Sequence, residues 1–322
     1  MLRPFRVVPA ALCLALVDCV PRSPSAPATG PRFITSDVVT FAAAYARAMQ
    51  VADVTARADI LQREYLDRGT PGLQDFVRAR KIDSAAELAK RISDAPRFYA
   101  WMRDYPRRLA AIEPEIRRGL QRLEELIPGA RLPDVYFVIG HQKSSGTVSE
   151  RGMLIGAEVF AAVPGTPLDE LSPTRRGYVH PMAQLPYHIV HEAVHTQQQW
   201  HGKETLLETA LVEGTAEFLA GLSVPNAPVP TNSAWADPRQ REIWTRFERD
   251  MLGTDTRDWA ENNSRATPDW PAALAYYVGY RIAEAYYNRA ANKQEAVRAL
   301  LQLENARAIL EFSGYGDRIS AR

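Results

Sequence analysis

Cysteine is nearly missing from this chain of 322 residues: it has two, Cys13 and Cys19, both close to the start. A domain that begins after them has no thiol and no disulfide, so thiol chemistry and a disulfide scaffold are excluded, and any metal must sit on histidines and carboxylates. An excess of charge is missing too. Lys and Arg number 39 against 38 Asp and Glu, which gives no field-based reason to bind nucleic acid or an acidic membrane surface. Length and a 46% apolar composition are ample for one large core or two smaller ones.

The apolar run at 7–17, behind Arg3 and Arg6, is shorter than the roughly 20 residues that cross a bilayer as a helix. It reads as a secretory signal, which places the protein in a bacterial cell envelope. Two exits are open. Leu16-Val17-Asp18-Cys19 has the form of a lipoprotein box, apart from Asp18 where a small residue is usual, and would attach the chain to a membrane through a lipidated Cys19. Ala26-Pro27-Ala28 has the form of an ordinary cleavage site. The expected organisation is a signal at 1–18, a Pro/Ser/Ala-rich linker at 19–32, a helical region at 33–128 and, from the motif described below, a zinc-dependent catalytic region at 129–322, the last two either separate or one domain.

Ala, Leu, Arg and Glu at helical spacing fill 36–105, and a longer helix begins at Pro106 or Pro114 and closes at Pro128-Gly129. The β-branched and aromatic runs at 135–139 and 151–160 predict strands, with a polar loop around His141 between them. Helical patterns resume at 187–200, 204–222, 239–252, 272–290 and 293–311. The expected class is α+β, mainly α-helical, with a small sheet.

His191-Glu192-Ala193-Val194-His195 carries the chemistry. Histidines four apart project from one helix face and can both reach a single zinc ion, with Glu192 placed to take a proton from zinc-bound water. A hydrolytic site needs a third protein donor. Glu213, after seventeen intervening residues, supplies it from the next helix, with the turn assigned to His201-Gly202-Lys203. Glu217, one turn later, is placed to accept the second ring N–H of a liganding histidine; the reverse assignment and a solvated helix face remain open for both carboxylates. His188 reads as a neighbour of the site or a core residue, and His141 and His180 as solvated loop residues, His141 also placed to line a substrate cleft.

The metal motif, followed by Glu213-Gly214-Thr215-Ala216-Glu217-Phe218, resembles the gluzincin zinc peptidases. Over about 105–315 the chain is more closely similar to a bacterial group of predicted zinc-dependent proteases of uncharacterised domain type, on Gly146-Thr147-Val148, Leu154-Ile155-Gly156-Ala157-Glu158 and Tyr277-Val278-Gly279-Tyr280-Arg281-Ile282. The resemblance implies a zincin-like core, zinc on His191, His195 and Glu213, Glu192 as general base, a peptide or protein substrate, and an edge strand at 152–160 that pairs with it. It also implies an oxyanion donor at Tyr276, with Tyr280 and Tyr277 as substitutes. Against this stand a non-catalytic, zinc-stabilised envelope protein with His188 or Glu217 as fourth ligand, and a metal-free helical interaction module.

Overall fold

A row of short amphipathic helices opens the fold: α1 (Ser36–Ala48), α2 (Val54–Leu61), α3 (Pro71–Arg78), α4 (Ala85–Asp94) and α5 (Pro96–Trp101). Their starts follow from local chemistry. The side chains of Asp53, Thr70 and Ser84 accept the exposed N–H groups of the first turns of α2, α3 and α4. The long helix α6 (Tyr105–Leu126) takes Pro106 in its first turn and carries Pro114 inside, and it buries Ile116, Leu120 and Leu123 on one side. The computed structural model describes residues 30–321 apart from 80, 200–204, 229, 261 and 263–264; residues 31–322 form one unit. The signal, its two exits and Cys19 lie outside the described residues, as does the turn at 201–203.

Four strands, β1 (Phe33–Ile34), β2 (Val135–Val138), β3 (Gly146–Ser149) and β4 (Gly152–Gly156), make a sheet in the order β1-β2-β4-β3. β1 and β2 run parallel to β2 and β4, whereas β3 and β4 form an antiparallel hairpin. β3 was not visible in the sequence pattern, because its residues are polar or small and it is paired on one side only. The run at 152–160 is therefore not the edge. β4 lies between β2 and β3 and is buried throughout, and its continuation 157–160 is a turn of 3-10 helix.

The second half supplies α7 (Pro173–Arg176), α8 (Leu185–His195), α9 (Leu206–Ser223), α10 (Ser233–Ala236), α11 (Gln240–Asp250), α12 (Leu274–Arg289), α13 (Lys293–Gln302), α14 (Ala306–Ser313) and α15 (Tyr315–Ser320). The single helix expected at 293–311 is two, because Leu303 adopts a left-handed conformation and Asn305 caps a new start. α8 packs against α6, α9, β3 and β4, and α9 packs most extensively against α12. That last contact needs two glycines. A Cβ on Gly214 would lie 2.0 Å from the carbonyl carbon of Gly279, and one on Gly279 would lie 1.6 Å from the carbonyl oxygen of Ala210. The molecule is mainly helical with a small mixed sheet, and no helix among the described residues is long and apolar enough to cross a membrane.

Candidate metal centre

α8 buries Leu185, Ile189, Val190, Ala193 and Val194 in the core, and the remaining face turns His191, Glu192 and His195 toward a cleft. α9 begins at a capping box in which Thr205 and Glu208 satisfy each other's backbone N–H groups. Two turns on, the Gly214–Gly279 contact fixes the height of Glu213 beside α8.

Three donor atoms meet there. The Nε2 atoms of His191 and His195 are 3.0 Å apart, and Oε2 of Glu213 lies 3.6 Å from the first and 3.3 Å from the second. Such a triangle has a point about 1.9 Å from all three atoms, so an ion at the roughly 2.0–2.1 Å typical of zinc bonds fits just off its plane. The electrostatics suit a cation. Burial alone would raise Glu213, yet hydrogen bonds and charge from His191 and His195 hold its carboxyl well below the ordinary range. Burial likewise opposes a charge on His195, and the Glu213 carboxylate overrides it, lifting the ring to about 9.

The neighbours fall into place differently from their sequence roles. Glu217 is buried, and its carboxylate accepts the backbone N–H of Thr231 at 3.1 Å and the Thr231 hydroxyl. The ring N–H of His195 goes instead to Gln198, a residue that the sequence reading passed over: His195 Nδ1 lies 2.7 Å from Gln198 Oε1. Glu192 is buried, and that burial pushes its carboxyl upward against the pull of His195 and His191. His188 faces Glu192 at 3.4 Å and packs its ring on Phe160. Burial drives its pKa well below the ordinary value. β3 crosses close above, since a Cβ on Gly146 would come within 2.8 Å of His188 Nε2 and 3.1 Å of Glu192 Oε1.

The cleft has a volume of ≈ 1160 Å³ and is lined by the three donors together with Gly146, Thr147, Thr231 and Tyr276 among others. Tyr277 and Tyr280 are engaged elsewhere, the first donating its hydroxyl to Asp237 at 2.7 Å and the second packing on Phe218. The two loop histidines are not solvated as expected. His141 is buried and accepts the backbone N–H of Asp83 at 3.1 Å, while His180 is half-buried against Phe160 and lines the cleft.

Behind the cleft, the loop at 139–142 is gripped by groups that sequence reading did not single out. Glu158, 1% exposed, accepts the N–H groups of Gly140 and Gln142, each at 3.0 Å. The Tyr65 hydroxyl bonds both the N–H and the carbonyl of Ile139 at 2.8 Å. Burial raises the Glu158 carboxyl despite these donors.

A family model described as gliding motility protein GldB matches residues 34–317. No curated protein and no solved structure matches the chain. The match overturns the resemblance to gluzincins and to predicted zinc-dependent proteases, and with it the expectation of a peptidase. The physical reason is one of scale: a few short segments around the cleft report where ligands can converge, whereas the match extends over nearly every element of the fold. With it go the grounds for a peptide substrate and for the hydrolytic roles assigned to Glu192 and Tyr276. The envelope reading stands, since the matching family is one of lipoproteins, and the chain is an exported protein of the cell envelope.

Proposed function

The chain belongs to the gliding motility protein GldB family, and from that premise we propose that it is a non-catalytic envelope component of the gliding apparatus, braced by one zinc ion on His191, His195 and Glu213. The observation that carries the metal reading is the convergence of three donor atoms from two helices within 4.8 Å of one another. Two imidazoles and a carboxylate, with no sulfur, are a donor set suited to zinc. When bound, the ion supplies a positive charge that ties α8 to α9. Among the described residues the cluster has these three donors, and neither His188 nor Glu217, the fourth ligands expected of such a protein, belongs to it. A lipid on Cys19 would hold the protein to the membrane through the spacer at 19–32.

The test is made in the source cells. Removing the chain abolishes movement over a surface, and both the parent chain and Glu192→Gln restore it, whereas Glu213→Ala does not. Failure of Glu192→Gln to restore movement, with zinc content unchanged, overturns the non-catalytic reading. Absence of zinc from the purified parent overturns the metal.

A further inference from the structure

Three glutamines follow the second histidine, and each is tied to a different part of the fold. Gln197 exchanges hydrogen bonds with the main chain of Arg131, accepting from its N–H at 3.1 Å and donating to its carbonyl at 3.1 Å. The backbone N–H of Gln199 donates to the carbonyl of Leu301 at 3.0 Å. Between these anchors, Gln198 donates from Nε2 to the carbonyl of Val212 at 2.7 Å and lies with Oε1 2.7 Å from Nδ1 of His195.

The orientation of that amide follows from its partners. A main-chain carbonyl only accepts, so the Gln198 atom facing Val212 must be the nitrogen. The atom facing His195 is then the oxygen, which also only accepts, so Nδ1 of His195 must carry the hydrogen. A neutral imidazole protonated at Nδ1 has its lone pair on Nε2, the atom that lies 3.0 Å from His191 Nε2 and 3.3 Å from Glu213 Oε2.

We propose that Gln198 is the positioning residue of the metal centre: it selects the tautomer of His195 that presents a lone pair to the ion and fastens that ring to α9 at Val212, the residue directly before Glu213. The inference rests on the metal-binding reading above. One side chain thereby links a donor on α8 to the backbone that carries the donor on α9, and the anchors at Arg131 and Leu301 keep the strap from shifting. The spacing of the donors is set before an ion arrives.

The test uses the whole chain, metal-free and zinc-loaded, with histidine ¹⁵N spectroscopy and competition against a chromophoric zinc chelator. In the metal-free parent above about pH 9, where the ring is neutral, His195 is expected as the Nδ1-protonated tautomer. Gln198→Leu should give a mixture of tautomers and weaken zinc by about 10- to 100-fold, the usual cost of losing a partner behind a metal ligand. Gln198→Glu, which keeps an acceptor at Nδ1, should retain the tautomer and bind zinc more tightly than Gln198→Leu. A neutral His195 ring protonated at Nε2 in the parent at that pH overturns the proposal, even if Gln198→Leu does not fold. So does Gln198→Leu with unchanged tautomer and affinity. A parent that binds no zinc at all defeats the metal reading instead, and the tautomer in the metal-free chain still decides the role of Gln198.

Discussion

Glu158 is a fully buried carboxylate and Glu213 a half-buried one, and the protein treats them in opposite ways. Glu158, in the 3-10 turn that continues β4, is met by backbone N–H groups, those of Gly140 and Gln142 among them, and burial wins, raising its pKa. Glu213 faces two imidazoles, and their hydrogen bonds and charge outweigh desolvation. Burial pushes both carboxyls upward, and Glu213, which is less deeply buried, has the two imidazoles that reverse the push. A carboxylate that only clasps a loop has little need of its charge, whereas one kept ionised beside two nitrogen donors forms part of a cation site.

The largest expected break in this contrast comes from the donors themselves. Glu213→Ala, His191→Ala or His195→Ala should weaken zinc by more than the about 100-fold that loss of a partner behind a ligand costs, read by chelator competition. Glu158→Leu should leave zinc stoichiometry intact but lower stability by about 2–6 kcal/mol, at 1–3 for each of the two stranded N–H groups; a urea melt measures it. Gly214→Ala forces a methyl into the carbonyl of Gly279 and should cost about 1–3 kcal/mol as overpacking does, weakening zinc as well because Glu213 moves with α9.

Acidity sharpens the comparison more gently. His195 keeps its proton up to about 9 in the metal-free protein, and zinc must displace that proton. Affinity should therefore rise with pH by up to about tenfold per unit and level off above that value, as titration with a buffered zinc indicator would record. The smallest effect belongs to Glu192→Gln. Burial already disfavours its charge, so zinc content should not change and stability should stay within the about 0.5 kcal/mol of ordinary substitutions.

What the sequence made legible was whatever rests on short-range periodicity. Two histidines four apart must share a helix face, and a carboxylate on the following helix can reach the same point, so the three residues that cluster here could be named in advance. β1, β3 and the break at Leu303 could not, because two-residue pairing, a polar edge strand and a left-handed turn leave no apolar rhythm. Gln198 was passed over because a glutamine three residues from a histidine is commonplace, and only the carbonyl of Val212, brought in by tertiary packing, fixes which end of its amide faces the ring. Glu158 sits in an apolar run where its burial depends on a loop sixteen residues earlier. Function was misread for a related reason: the pentapeptide speaks of ligand geometry, and geometry alone does not say that water is activated.

The most direct test of the metal centre is X-ray absorption at the zinc edge on the purified, zinc-loaded chain. The expected spectrum has two imidazole nitrogens and a carboxylate oxygen at about 2.0–2.2 Å, with the oxygen lost in Glu213→Ala. A shell that is unchanged by Glu213→Ala, or one without imidazole scattering, would contradict it.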